Sequence, residues 1–279
     1  GYQRCNSIVV EQYDTNFQFQ SKKTLDLDSD VFGGVYYGSD YNYVITGNIS
    51  NKKNYESVET IRVTKFDKQW QEVSHHGYYG SPIAIPFWGG SCSITESDGY
   101  LCIYTGCKKL TGHQMALAVM YDLESDKIVT TDDKIRFNFI APASHSYRQN
   151  TVTGKSGQLY AIGHGDASPR SIYVYTYVDG DIYTCDLHTI PLKTYAKQLT
   201  GVQLGGSVVT DKQLMVAYAD NEQGTEWADS KFNIFVKMLP TDAKTYLSNK
   251  TIETSGIQSI QLTNYDDNSK VTAECPKII

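Results

Sequence analysis

The chain repeats itself, and that self-similarity limits what it can fold into more than any single motif does. A strand-like run ending in small residues recurs as YVITG (43–47), LCIYTG (101–106), LYAIGHG (159–165) and LMVAYA (214–219). A second run follows each: ETIRVTKFD (59–67), MALAVMYD (115–122), SIYVYTY (171–177) and KFNIFVKML (231–239). Both recur at roughly 55 to 60 residues, the length of a four-stranded unit with one generous loop. The turn after the second run repeats as well (FDKQW, YDLES, YVDGD, MLPTDAK) and leads into a fourth strand. A short β segment opens each unit, with paired glycines in FGGVYYGS (32–39), WGGSCSITE (88–96) and LGGSVVT (204–210), and without them in SHSYRQNTVT (144–153).

The two ends complete the pattern. SIVVEQYDTNF (7–17) matches the third strand and its turn, so the N-terminus supplies third and fourth strands without a first and second, and SIQLTNYDDNSKVTAEC (259–275) supplies an opening hairpin without a third and fourth. Joined, they make a fifth unit, which is how a β-propeller leaves no sheet edge unprotected. The expectation is an all-β, five-bladed β-propeller closed by N- and C-terminal strands sharing one blade. Its single domain spans 1–279, with blades at 257–279 plus 1–26, 27–80, 81–135, 140–195 and 200–256. Cys5 and Cys275 fall where the shared blade has no covalent loop, so a disulfide between them would latch the ring. Closing so long a loop contributes about 4 to 5 kcal/mol in the chain-entropy model. The plainer reading is two free terminal thiols. Of the other cysteines, Cys92 and Cys107 are the preferred pair across one hairpin, which leaves Cys102 and Cys185 unassigned.

Composition agrees with strands. There are 22 Tyr and 22 Gly against 7 Pro and 4 Met, and no stretch keeps apolar residues at helical spacing over three turns. The formal net charge is -6, with Lys and Arg scattered, so nothing concentrates the positive potential a nucleic acid requires. No apolar run reaches the roughly 18 residues of a membrane helix, and GYQRCNSIVV lacks the parts of a signal peptide, which still leaves open a mature form with its signal removed. Six cysteines without a CxxC pair argue against structural zinc and suit disulfides. Asn48-Ile-Ser and Asn249-Lys-Thr are sequons. These features together point to an extracellular or cell-surface glycoprotein.

In a four-stranded meander the loops between second and third strands lie on the same face as the connections entering each first strand. That face collects Trp88, His113, Gln114, His145, Arg148, His164, Asp166, Arg170, Glu226 and Trp227. Because the first strand is innermost, Trp88, His145 and Arg148 are expected to rim the central channel, where loops converge on a concave funnel. Three histidines could bind a metal, but histidines from separate loops more often serve as hydrogen-bonded turn residues. Asp166 and Arg170 either contact a ligand or pin their loop as an ion pair. The run DLDSD (26–30) opens like a calcium loop but lacks its glycine and terminal glutamate, so no cofactor is expected and calcium is left open.

HQMALAV (113–119), SHSYRQN (144–150) and HGDASPRS (164–171) resemble repeats of a group of secreted bacterial β-propeller-like proteins whose motifs read HQAN, SHSFNQ and HGDAYPRS. TIRVTKFDKQW (60–70) fits the same style. The likeness spans roughly residues 12 to 180, with Met115, Arg148 and Ser168 departing from the pattern. It implies an exported propeller whose His113, His145, His164, Asp166 and Arg170 belong to one site, and it transfers no activity.

The function expected first is an extracellular recognition module binding a glycan or protein ligand through this face. The alternative is a glycan-cleaving enzyme, either a glycosidase with two carboxylates or a polysaccharide lyase. The lyase would use a His/Asp/Arg site to abstract a proton beside a uronate, with Arg148 or Arg170 holding its carboxylate. A third reading is a structural subunit of a cell-surface assembly.

Overall fold

The runs LCIY and MALAVMY are buried at every position, because the sheets that contain them are packed on both faces. The computed structural model describes residues 6–129, 139–142, 147–154, 157–165, 170–178, 181–190, 202–221, 231–241, 247–248, 251–252, 254–266 and 271–278. Their regular structure is strand, apart from single 3-10 turns at Tyr55–Ser57 and Trp88–Gly90. No helix among them is long and apolar enough to cross a membrane.

Strands β1 (Ser7–Tyr13) and β2 (Phe19–Asp26) form a two-stranded antiparallel sheet. The first meander follows as β3 (Val31–Tyr37), β4 (Asn42–Gly47), β5 (Glu59–Phe66) and β6 (Glu72–Tyr79), in that spatial order. In the second sheet β7 (Ile83–Ile85) and β8 (Ser93–Ser97) both pair with β9 (Tyr100–Lys109). Strand β10 (Gln114–Asp122) comes next, and β11 (Lys127–Ile128) and β12 (Phe139–Pro142) pair with β10. The third sheet is β13 (Gln149–Thr153), β14 (Leu159–Gly165), β15 (Ser171–Val178) and β16 (Asp181–Thr189). The fourth opens with β17 (Gln203–Val209), β18 (Gln213–Asp220) and β19 (Asn233–Pro240). Two short strands, β20 (Leu247–Ser248) and β21 (Thr251–Ile252), attach to the outer edge of the third sheet through β16, and β22 (Gln258–Gln261) completes the fourth through β19.

Four cores separate the sheets, and alternate residues of each strand enter different cores. Ile103 and Leu117 join Ile45, Ile61 and Val63 between the first and second sheets. Their neighbours Cys102, Tyr104, Ala116 and Ala118 join Ala161 and Tyr173 between the second and third. Ile162, Ile172 and Val174 meet Leu204, Val216, Tyr218 and Phe235 between the third and fourth. Leu25 of β2 covers Val44, Phe66 and Trp70 on the far side of the first sheet. At about 25 cal/mol per Å² of apolar surface, burial on both faces is what holds these short strands.

The paired glycines let consecutive sheets approach. A Cβ at Gly33 would lie 2.6 Å from the Phe87 ring, and one at Gly89 would lie 2.5 Å from Tyr147, each in the following repeat. A Cβ at Gly205 would strike the Pro276 carbonyl, and one at Gly206 would lie 2.6 Å from the Ile278 nitrogen. The C-terminal segment therefore occupies, beside the fourth sheet, the place that the next repeat occupies beside the first and second. Gly206 N donates to Pro276 O at 2.9 Å, and Ile278 covers Ala217, Val236 and Met238.

Four expectations are corrected here. The strand at the start of 259–275, β22, hydrogen-bonds to β19, whose outer edge would otherwise be open, and not to the described N-terminal strands. Cys275 is a free thiol, so it makes no disulfide latch, and Cys5 lies outside the described residues. Cys92 and Cys107 are both free although they share the core between the first two sheets. The Asn48 side chain is also committed internally: Nδ2 donates to Glu59 O at 3.0 Å and Oδ1 accepts from Asp30 N at 3.2 Å. That use of the amide opposes glycosylation there, and Asn249 lies outside the described residues.

Candidate functional site

His164 is the sixth residue of β14, 3% exposed, where the sequence suggests a loop. The strand continues into GHG because Gly163 lets the Tyr173 ring and the Tyr104 hydroxyl lie against its backbone. His164 is opposite Ile172 on β15, which is opposite His188 on β16. Residues opposite one another in a sheet share a face. Ile172 belongs to the core between the third and fourth sheets, so both imidazoles cap that core at the end of the sheets where β13 and β17 begin.

The fourth sheet answers with Asp220, the last residue of β18 and 3% exposed. His188 Nε2 and Asp220 Oδ2 are 2.6 Å apart, and the His188 ring stacks on Tyr218 with centroids 4.6 Å apart. A carboxylate accepts, so the Nε2 that faces Asp220 is the donor and Nδ1 is the ring nitrogen turned away from it. His164 Nε2 is buried without a hydrogen-bond partner. Burial, then the Arg148 guanidinium, then His188 push its pKa down to about 4, so it is neutral at neutral pH. Arg148 spans the same two sheets, donating to Leu204 O at 3.1 Å and to Cys275 Sγ at 2.9 Å.

The other expected residues disperse. Trp88 is half-buried, donates from Nε1 to the Tyr147 hydroxyl at 3.0 Å and carries the Lys108 ammonium 5.2 Å from its ring centroid. It ties the second sheet to the third. His113 is exposed in the β9–β10 turn, where its carbonyl accepts from Lys109 N, and Gln114 begins β10 opposite Lys108. Arg170 is half-buried just before β15, with its carbonyl accepting from Ile190 N at 2.9 Å. His145, Asp166, Glu226 and Trp227 lie outside the described residues. Of the described candidates, His164 and Arg148 come together, and neither His113 nor Trp88 joins them.

His188 and Asp220 are the candidate site residues that sequence reasoning passed over. The signal was present: a fourth strand exits on the face where the next first strand enters, and LMVAYAD puts an acid at the end of an otherwise apolar run. The DLDSD carboxylates are engaged elsewhere, Asp28 with Arg62 at 3.3 Å and Asp30 accepting from Ile49 N at 3.0 Å. No group of three or more described His, Cys, Asp or Glu side chains could hold a metal ion.

No protein-family model and no curated protein matches the sequence. Among solved structures the chain is similar to an arabinanase from Bacillus subtilis, at 10% identity over 79% of this chain and 75% of that one, with a TM-score of 0.36. It is also similar to a β-xylosidase/α-arabinofuranosidase from a compost microbial metagenome (12% identity, 87% and 93% covered, TM-score 0.36). A third is an α-L-arabinofuranosidase from Clostridium thermocellum (14% identity, 84% and 74% covered, TM-score 0.35). At such identities and scores the likeness assigns no residue a role. All three are named as glycan-cleaving enzymes, and the recognition module expected first gives way here to the enzyme alternative.

Proposed function

We propose that the chain is a glycan-cleaving enzyme on a five-bladed propeller, and that it acts by elimination beside a uronate. The observation that carries this reading is the buried His188–Asp220 pair, 2.6 Å apart and contributed by two adjoining sheets. An imidazole oriented by a carboxylate is a positioned general base. His188 Nδ1 takes the proton next to the uronate carboxylate. The electron pair left behind forms the carbon–carbon double bond and expels the glycosidic oxygen, which is protonated by water. Arg148, exposed at the same end of the sheets, holds the substrate carboxylate and so stabilises the charge that develops on it. Hydrolysis would instead need two carboxylates across the bond. The His188–Asp220 pair supplies one carboxylate, which favours elimination.

The propeller reading is supported by the order of the innermost strands, with β8 contacting β3, β13 contacting β8 and β17 contacting β13. In a fifth blade β1 and β2 supply outer strands and the segment around Pro276 lies at the innermost position. A polymeric substrate fits an extracellular setting.

Incubation with a panel of neutral and acidic polysaccharides, followed by mass analysis, tests the proposal. Elimination gives unsaturated, ultraviolet-absorbing fragments, whereas hydrolysis gives fragments heavier by one water. No fragments from any uronate polymer, or hydrolytic fragments alone, would defeat it.

A further inference from the structure

A cavity of about 350 Å³ opens on the inner strands, away from the histidine pair, and is lined by Ser93 of the second sheet, Asn150 and Thr151 of the third, Ser207 of the fourth, and Lys277 and Ile278 of the C-terminal segment. No described carboxylate lines it, and none lies within ion-pair distance of Lys277. The Ser207 hydroxyl is buried and makes no hydrogen bond, a state that costs free energy unless a ligand or water satisfies it. The neighbouring polar groups are already ordered. Ser93 Oγ lies 2.9 Å from Thr151 Oγ1 and accepts from Thr151 N at 2.8 Å, and Asn150 Nδ2 donates to Gly205 O at 2.5 Å. Among the described residues, a fixed hydroxyl wall with one cation outside ion-pair distance of any acid is matched by an oxyanion. Ile278 and Val152 add apolar lining, and the volume falls in the range of small-molecule sites, well above that of a bare ion.

We infer that this cavity binds a single acidic sugar, its carboxylate toward Lys277 and Ser207 and its ring against Ile278. The site shares the acidic-glycan class with the proposed activity but stands on the cavity alone. It contains neither His188 nor Asp220.

The test is thermal shift and titration calorimetry on the full chain with glucuronate and galacturonate, with glucose and sulfate as comparison arms. Uronates should raise the melting temperature in proportion to the logarithm of concentration while glucose does not. Lys277→Gln and, separately, Ser207→Val should each weaken uronate binding at least tenfold, and His188→Ala should leave it unchanged. A sulfate effect equal to that of the uronates would replace the sugar by a free anion and overturn the inference. So would no uronate effect, or one undiminished in both cavity variants. Loss of binding in His188→Ala with retention in Lys277→Gln would move the ligand to the histidine pair.

Discussion

His188 and Asp220 meet across two sheets, 2.6 Å apart, each less than a tenth exposed. Asp220→Asn keeps the volume but no longer fixes which imidazole nitrogen holds the proton. The rate of uronate-polymer cleavage should fall about 10² to 10⁴-fold, while the melting temperature changes by a few degrees only. His188→Gln should lose the same activity. Initial rates by ultraviolet absorbance, beside thermal melts, check both.

His164 makes stability depend on pH. Its folded-state pKa is lowered to about 4, whereas in the unfolded chain it titrates near 6.5. Above about pH 6.5 both states are neutral and the contribution is fully present. As pH falls from 6.5 to 4 the unfolded state takes up the proton first, so stability drops, by about 3 kcal/mol in all. Denaturant melts of the parent and of His164→Phe should diverge in slope over that window, and equal slopes would refute the assignment.

Two glycines should respond differently to alanine. At Gly33 the added Cβ would meet the buried Phe87 ring at 2.6 Å, and the overpacking should cost about 1 to 3 kcal/mol or more. Gly112 has φ +94 and open space around it, so Gly112→Ala should cost about 1 kcal/mol of backbone strain alone. Urea denaturation ranks them.

The thiols should also separate. Burial raises Cys92 and Cys107 to about 12, as it does Cys185, and a thiol is unreactive when its thiolate is scarce. Cys275 is exposed beside Arg148. In a Cys5→Ser background a disulfide reagent should titrate one thiol quickly in the native protein and the remaining four only on unfolding.

The sheets were legible because burial on both faces turns their central strands into unbroken apolar runs, and because glycine pairs mark where one sheet must admit the next. The pairing of SIQLT was not legible. A short, half-polar strand takes whichever edge is open, and that edge belonged to β19. His164 was found but placed in a loop, since GHGDASPR has turn composition while the strand runs on through Gly165. His188 was passed over because residues were grouped by loop, whereas the site forms where strand ends of two sheets face each other.

The separation of the cores has a consequence for how the molecule comes apart. Among the described residues each sheet shares its apolar cores with its immediate neighbours, so its stability behaves as a chain of couplings more than as one block. A defect in the contact between Leu25 and Val44 should loosen the N-terminal hairpin and leave the sheets around Tyr218 intact, and hydrogen exchange should then spread inward from the ends as a front.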